Sequence, residues 1–202
     1  MAAINIQFTK IEIQIASCLF KHYKERFNPR QLARLLKVNH ANANRLCKIL
    51  AEKQLIRREE IGNSQYYTYN YDNPLALKFM EYMLSLEKLQ FPTWLIVVQH
   101  SLERFSGKIK LGLVFGSSIR NSGFNDIDVL LVYDKTNVKT INKVKAEIRA
   151  SQLMTKPIRY VEMSEEDIPF NKNDKVVYSI MSENLIFHSP EKYVEAIMQC
   201  RK

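Results

Sequence analysis

Residues 113–133 read LVFGSSIRNSGFNDIDVLLVY, an apolar run, a Gly-Ser turn and a second apolar run that opens with Asp-x-Asp. Successive side chains of a strand point to opposite faces, so Asp126 and Asp128 project to one side while Ile127 and Val129 face the core. Two carboxylates at this separation repel each other unless a cation lies between them, and hard oxygen ligands select Mg²⁺ or Mn²⁺. The segment therefore predicts a divalent metal site.

The turn between the two runs has the composition of a phosphate-binding loop. Gly116 and Ser117 close the first strand, and the residues after them can begin a helix whose free N–H groups would meet a phosphate. The Ser117 hydroxyl adds another donor. An ordinary strand-to-helix turn followed by two solvated acids would contain the same residues, so the pattern by itself leaves both interpretations open.

At these residues the chain resembles the DNA polymerase beta-like nucleotidyltransferase superfamily, and its minimal branch in particular. The superfamily signature is a Gly-Ser turn after one strand and Asp-x-Asp on the next. The resemblance implies that Gly116 and Ser117 hold a nucleoside triphosphate. It also implies that Asp126 and Asp128 bind the metal ions, and Arg120 matches a frequent basic position at the nucleotide. The chain departs from the common family pattern at three positions: Ile119, Asn121 and Asn125.

Nucleotidyl transfer in this superfamily normally requires a third acid on a later strand. The candidate strand is residues 157–163, in which Glu162 is the only acid. The two aspartates and Glu162 are therefore the predicted catalytic residues. Aligning the strand on its apolar residues instead places Arg159 or Tyr160 where the family carries its acid, and Glu162 is then an ordinary surface glutamate.

The N-terminal part of the chain has the pattern of three helices and a hairpin. Asn28 and Pro29 make an N-cap and first-turn pair for the second helix, and Gly62-Asn63-Ser64 is typical of a hairpin turn. Apolar residues recur at helical spacing before and after that pair. We predict helices and strands, in this order, at residues 10–27, 29–38, 40–53, 55–61 and 65–69.

This pattern resembles a winged helix-turn-helix domain, in which the third helix enters the major groove of DNA and the wing contacts the backbone. Amide side chains suit adenine edges, and cations suit phosphates or guanine. The predicted DNA-binding residues lie on the third helix and the wing: Asn42, Asn44, Arg45, Lys48, Arg57 and Arg58. The alternative is a protein-interaction or dimerisation module whose polar third-helix residues are solvated.

The charge distribution agrees with a double-stranded DNA partner. The chain of 202 residues has a formal net charge of +9, and residues 1–75 contain 12 basic and 6 acidic side chains. A basic domain of this kind is typical of nucleic-acid binding. A solvated basic surface would give the same count.

The remaining segments complete an α/β (α+β) prediction, with a winged helix at residues 1–72, a helical connector at 73–92 and a nucleotidyltransferase-like mixed sheet flanked by helices at 93–202. The connector helix, residues 75–89, has an apolar side that fits either a homodimer contact or packing between the domains. Further elements are predicted at residues 92–104, 109–115, 137–151, 157–163 and 172–181. The short strand and helix that follow are similar to the ending of archaeal-type nucleotidyltransferase domains fused to winged helices.

The chain has the composition of a cytoplasmic protein. No apolar segment approaches the roughly 20 residues needed to span a bilayer, and the N-terminus lacks the apolar block of a signal peptide, so we expect no membrane partner. Cys18, Cys47 and Cys200 are odd in number and widely separated, which argues against disulfides and a zinc site. We expect buried free thiols.

Two functions follow as hypotheses. The leading one is a Mg²⁺- or Mn²⁺-dependent nucleotidyltransferase that transfers a nucleoside monophosphate from a nucleoside triphosphate to an unknown acceptor, with a DNA-binding winged helix. The alternative is a transcription regulator whose nucleotide-binding domain is catalytically weak or inactive. A third possibility is the antitoxin role of some minimal nucleotidyltransferases, with a toxin protein or an RNA as the acceptor.

Overall fold

A computed structural model describes residues 7–151 and 156–202, which form a mixed α+β fold with ten α-helices and six strands. The predicted class is confirmed at this level. The chain divides into two compact units, Met1–Met83 and Leu84–Lys202. In the part of the chain that the structure describes, no helix is both long and apolar enough to cross a membrane.

The first unit contains three helices and an antiparallel hairpin, as predicted, and the start of a fourth helix. These elements are α1 Lys10–Lys21, α2 Pro29–Leu36, α3 His40–Glu52, β1 Ile56–Ile61, β2 Ser64–Tyr69 and α4 Pro74–Leu86. Gly62 lies in the β1–β2 turn with a φ of +59°, a conformation that glycine adopts without strain. The core is built from side chains of all three helices and the hairpin, among them Ile15, Phe20, Leu32, Leu46, Leu50, Ile56, Tyr67 and Tyr69.

Helix α1 ends at Lys21, six residues before its predicted end. The reason is a long-range contact of Phe27, which forms an antiparallel bridge with Tyr67 of β2. The Phe27 N–H donates to the Tyr67 carbonyl at 3.1 Å, and the Tyr67 N–H donates to the Phe27 carbonyl at 2.8 Å. Because both backbone groups of Phe27 bond to a strand, they are not available for helical hydrogen bonds. Helix α1 must therefore end before Phe27.

The connection between α2 and α3 is a tight turn. Asn28 caps α2 with its side chain, which accepts from the Gln31 N–H at 2.9 Å, so the predicted N-cap is confirmed. Lys37 ends that helix in the left-handed conformation, with φ +54°. Asn39 then caps α3 and accepts from the Ala41 N–H at 2.8 Å. Only three residues separate the two helices, as in a helix-turn-helix.

The second unit is built on a four-stranded sheet with the order β5-β4-β3-β6. Strand β3 is antiparallel to both β4 and β6, whereas β4 and β5 are parallel. The elements of this unit are α5 Thr93–Leu102, β3 Leu111–Phe115, α6 Ser117–Arg120, β4 Ile127–Val132, α7 Val138–Ala150, β5 Ile158–Met163, α8 Asp167–Phe170, α9 Lys175–Ser182, β6 Asn184–His188 and α10 Pro190–Arg201.

Two predicted helix boundaries differ from the structure by three residues each, and one short helix was not predicted. Helix α4 ends at Leu86 and continues as a 3₁₀ turn, Glu87–Gln90, rather than as an α-helix to residue 89. Helix α9 begins at Lys175 instead of residue 172, because Asp174 caps it and accepts from the Val176 and Val177 N–H groups. The short helix α8 was not predicted.

One face of the sheet packs against α5 and α7. Ile127 and Val129 are buried in this cluster, as their alternation with the aspartates predicted. The other members from these elements include Leu95, Leu102, Val114, Leu131, Ile141, Val144 and Ile148. Because Asp128 alternates with Ile127 and Val129, it projects to the opposite face of the sheet. The three cysteines are buried and free, as predicted.

A partly buried ion pair joins the start of α1 to the end of α3 in the first unit. Glu12 forms a capping box with Thr9, and its Oε1 is 2.9 Å from Lys53 Nζ. Burial acts to raise the pKa of Glu12, but the hydrogen bonds from Thr9 and Lys53 outweigh it, and the pKa lies below its ordinary value. The carboxylate is therefore stabilised in its ionised form.

We expect Glu12→Ala to lower the free energy of unfolding by about 2 kcal/mol, because it removes the capping-box partner of Thr9 and leaves Lys53 without its carboxylate. The lowered pKa means that the contribution of Glu12 is present above the unfolded pKa, 4.5, and is lost as pH falls through the folded value. Urea unfolding at neutral and acidic pH measures both effects. Glu52→Ala, at an exposed glutamate of α3, is the matched control and should cost little. Equal losses for the two variants would contradict the assignment.

Candidate functional site

The Gly-Ser turn and the Asp-x-Asp strand meet at one end of the second sheet. Phe115, the last residue of β3, pairs with Asp128 of β4. Gly116 follows with φ +79° and ψ −149°, and Ser117 begins the single turn of α6 with an exposed side chain. A Cβ at Gly116 would overlap the Asp128 carboxylate. The structure therefore brings the predicted nucleotide-binding turn directly against the predicted metal-binding aspartates.

Arg159 lies beside the two aspartates. In the parallel β4–β5 pair, Asp128 is in register with Arg159, so both side chains project to the same face. Arg159 Nε is 2.7 Å from Asp126 Oδ2, and the Asp126 side chain is only 17% exposed. Two carboxylates and one guanidinium give this cluster a formal charge of −1. Of the β5 residues considered in the sequence analysis, Arg159 is the one that lies in register with Asp128.

Asp126 raises the cost of ionising Asp128. Burial raises the pKa of Asp128, the charge of Asp126 raises it further, and the Arg159 guanidinium opposes both effects. A second cation near the pair would lower that pKa again. The site is therefore suited to a positively charged ligand, and Arg159 supplies part of that charge from within the chain.

Glu162, the predicted third acid, lies elsewhere. It is three residues from Arg159 along β5, which is roughly 10 Å, and an odd separation places it on the opposite face. There it accepts a hydrogen bond from the Tyr133 hydroxyl, and its Oε1 is 2.5 Å from Lys145 Nζ of α7. Burial acts to raise the pKa of Glu162, but the bonds from Lys145 and Tyr133 leave it lowered. The structure does not bring Glu162 together with the aspartates.

Arg120 lies at the end of α6 and forms an ion pair. Its Nη2 is 2.5 Å from Glu183 Oε2, and both side chains are about half exposed. Glu183 directly precedes β6, whose first residue pairs with Phe115. A phosphate on Arg120 would compete with Glu183, which sequence reasoning did not associate with the site because it lies more than sixty residues away.

The donor set fits one divalent cation and not two. Asp126 and Asp128 offer hard oxygen ligands of the kind that Mg²⁺ uses when phosphate oxygens and waters complete its shell. Among residues 7–151 and 156–202, no group of three or more acidic, histidine or cysteine side chains is placed to hold a metal ion. Arg159, which lies in register with Asp128, carries a guanidinium group, and this group has no lone pair for a metal ion.

We expect Gly116→Ala to lower the free energy of unfolding by roughly 2 kcal/mol, because alanine is strained at this φ and its Cβ overlaps Asp128. Gly107→Ala is the matched control, since Gly107 has a similar φ, +73°, with open space around the missing Cβ. Thermal unfolding of both variants, and of Gly116→Ala in an Asp128→Ala background, separates the two contributions. Equal losses at the two glycines would show that the Asp128 contact carries no cost.

A second candidate site is a polar cavity of about 490 Å³ in the first unit. It lies between the start of α2, the exposed side of α3 and the β1–β2 turn. His40, Asn44 and Lys48 recur every four residues along α3 and so form one stripe. The lining residues that bear on binding are Arg30, His40, Asn44, Lys48, Asn63 and Gln65. None of the described lining residues is acidic, so the cavity is positively charged.

The other predicted DNA-binding residues lie outside this cavity. Arg45 donates to the Asn42 side chain at 3.0 Å on a neighbouring stripe of α3. Arg57 Nη2 is 2.6 Å from Asp72 Oδ2, and its Nε donates to Asn70. Arg58 is exposed on the other face of β1. Of the six predicted residues, Asn44 and Lys48 line the cavity, and Arg57 is held in a local ion pair.

Sequence reasoning missed Arg30 and Gln65 as candidates. Arg30 is the second residue of α2, and Gln65 is the second residue of β2, so neither lies on the helix that the pattern identified. They line one cavity because the fold places the start of α2 and the β1–β2 turn beside α3. His40 also lines the cavity, and its four-residue spacing from Asn44 was the available signal in the sequence.

No protein-family model matches this chain, and neither a curated protein nor a solved structure gives a significant match. The two sites must therefore be interpreted from their own geometry.

Proposed function

We propose that this chain is a DNA-binding regulator, with a winged helix-turn-helix in the first unit and a nucleotide-binding domain of the nucleotidyltransferase type in the second. The observation that carries the second part is Arg159, in register with Asp128 and 2.7 Å from Asp126. A guanidinium group has no lone pair to offer a metal ion. This arrangement supports nucleotide binding without efficient nucleotidyl transfer.

The proposed ligand of the second unit is a nucleoside triphosphate with one divalent cation. Asp126 and Asp128 would hold the cation, which would neutralise part of the triphosphate charge. Gly116 would allow the phosphates to approach the backbone, and the exposed Ser117 hydroxyl would donate to them. Arg120 would exchange Glu183 for a phosphate oxygen, a stronger acceptor because of its greater charge.

The proposed ligand of the first unit is double-stranded DNA. Helix α3 has 13 residues, about 20 Å at 1.5 Å per residue, which suits the major groove. Lys48 and Arg30 provide cations for phosphates, and Asn44 provides an amide for a base edge. The turn of the β1–β2 hairpin lies at the same cavity and corresponds to the wing.

The test uses each labelled nucleoside triphosphate with Mg²⁺ or Mn²⁺ and the full chain, followed by filter binding and by electrophoresis with cell extract as the acceptor source. We expect metal-dependent binding that Asp126→Asn/Asp128→Asn abolishes, and no transfer above the level of that variant. Glu147→Gln, at an exposed acid of α7, is the control for loss of negative charge. Absence of metal-dependent binding would overturn the proposal for the second unit.

A nucleotidyltransferase remains the second candidate function, and the contact between Gly116 and Asp128 favours it. The resemblance implies a Gly-Ser turn next to the Asp-x-Asp strand, and this proximity supports the second candidate. Label transfer to an acceptor that depends on Asp126 would establish this function and reject the inactive-domain proposal.

A further inference from the structure

The second unit also contains a cavity, of about 370 Å³, between the C-terminal end of α7 and the start of β5. Tyr160, which lines it, is adjacent to Arg159 in the strand, so the cavity is on the opposite face of the sheet from Asp126 and Asp128. The described lining residues that matter are Lys145, Ile148, Arg149, Lys156, Ile158 and Tyr160. The proposed function does not use this cavity.

The Tyr160 hydroxyl is buried and has no hydrogen-bond partner among the residues that the structure describes. A buried hydroxyl without a partner is costly, and most such groups in native proteins bond to a bound water or ligand. Burial raises the pKa of Tyr160 to about 12, so the phenol keeps its proton at neutral pH and can donate it. A hydrogen-bond acceptor bound in the cavity would therefore satisfy the Tyr160 hydroxyl.

The cavity is also positively charged. Lys145 is paired with Glu162 at 2.5 Å, and Lys156 donates to the Phe124 carbonyl. Arg149 is exposed and makes no ion pair within residues 7–151 and 156–202. The N–H groups of its guanidinium can therefore donate to an anion. Three cations and one carboxylate leave a formal charge of +2.

We propose that this cavity binds a small phosphorylated molecule. Its phosphate accepts from Arg149, Lys156 and the Tyr160 hydroxyl, and its less polar body packs against Ile148 and Ile158. The volume of the cavity is within the range of small-molecule sites. A phosphate without a metal ion is repelled by the acidic cluster on the other face, so the two sites select different forms of ligand.

The test is calorimetric titration of the full chain with inorganic phosphate and with adenosine 5′-monophosphate, in the presence of a chelator. The Asp126→Asn/Asp128→Asn background removes any contribution of the other face. We expect Arg149→Ala to weaken binding by more than about tenfold and Tyr160→Phe by about five- to tenfold. Lys143→Ala, which removes a cation of α7 outside the cavity, should leave the affinity unchanged.

Tyr160→Phe separates a ligand contact from a structural role. Removal of a hydroxyl that has no protein partner should leave the unfolding temperature unchanged or higher, while the affinity falls. Phosphate and monophosphate binding with equal affinity would assign recognition to the phosphate alone, whereas tighter monophosphate binding would show that the apolar wall contributes. Either result supports the proposal. Failure of both probes to bind, or binding unaffected by Arg149→Ala and Tyr160→Phe, would overturn it.

Discussion

An Arg159→Asp variant is expected to bind Mg²⁺ or Mn²⁺ at least about tenfold more tightly than the native chain. The substitution changes the formal charge of the cluster from −1 to −3 and places a carboxylate in register with Asp128. Two additional units of negative charge within several ångströms of a dication are worth more than the ~1.4 kcal/mol that a tenfold change requires. The new carboxylate can also coordinate the metal ion, which the guanidinium group of Arg159 cannot do.

The measurement is Mn²⁺ titration followed by electron paramagnetic resonance, which counts the free ion directly. Lys143→Asp, on α7, makes the same change in net charge away from the aspartates and is the matched control. Arg159→Ala should give an intermediate affinity because it removes the cation without adding a ligand. An Arg159→Asp affinity equal to that of Lys143→Asp would show that net charge alone is responsible and that position 159 does not reach the metal.

In the absence of metal, Arg159→Asp should lower the stability of the fold. Three carboxylates at one strand end repel one another, and Asp128 already has a raised pKa from burial and from Asp126. Arg159→Asp should therefore unfold at a lower temperature without metal and recover when Mn²⁺ is added, since a ligand that binds only the folded state stabilises it. The exposed Arg159 side chain contributes little to stability by itself, so most of the loss would reflect repulsion.

Local chemistry made much of the fold predictable from the sequence. Asn28 before Pro29, and Gly62 between two short strands, determine a helix start and a hairpin through bonds and φ values within a few residues. The alternation of Ile127 and Val129 with the aspartates correctly separated the two faces of β4, although Leu130 and Val132 on the face of Asp128 are buried as well. Each of these features is determined by residues that are close together in the sequence.

Long-range contacts account for what the sequence did not predict. Helix α1 ends at Lys21 because Phe27 bonds to Tyr67, which lies forty residues later. The parallel register of β4 and β5 is set across a crossover that contains α7, so the sequence left Glu162, Arg159 and Tyr160 as alternatives for one position. The side chain of Glu162 is held by Lys145 and Tyr133, and its spacing from the aspartates gave no indication of that contact.

The second large effect is expected at the cavity of the first unit. An Arg30→Ala/Lys48→Ala variant should bind duplex DNA about 100-fold more weakly at low salt, because each lost phosphate contact is worth about 1 to 2 kcal/mol. Arg30 lies at the start of α2 and Lys48 on the exposed stripe of α3, and both line the same cavity. Loss of two cations should also reduce the dependence of log K on log salt by about 2.

Fluorescence anisotropy with a labelled duplex of about 20 base pairs, between about 50 and 200 mM salt, measures both quantities. Arg57→Ala is the matched control, because Arg57 is a cation of the same unit that is held by Asp72 and Asn70. We expect Arg57→Ala to change the affinity less than threefold and to leave the salt dependence unchanged. A larger effect at Arg57 than at Arg30 and Lys48 would place the DNA on the other side of the β1–β2 hairpin.

Asn44 separates sequence recognition from phosphate binding at the same surface. It lies one turn from both His40 and Lys48, where an amide can pair with a base edge while the lysine contacts the backbone. Asn44→Ala should therefore alter which duplexes are enriched from a random pool, with the salt dependence of each complex unchanged. A protein-interaction module would show neither the salt dependence nor the selection, because its polar α3 stripe would not face phosphates or bases. The combination of an unchanged salt slope at Asn44 and a reduced one at Lys48 requires direct contact with DNA, since unfolding of the unit would abolish both together.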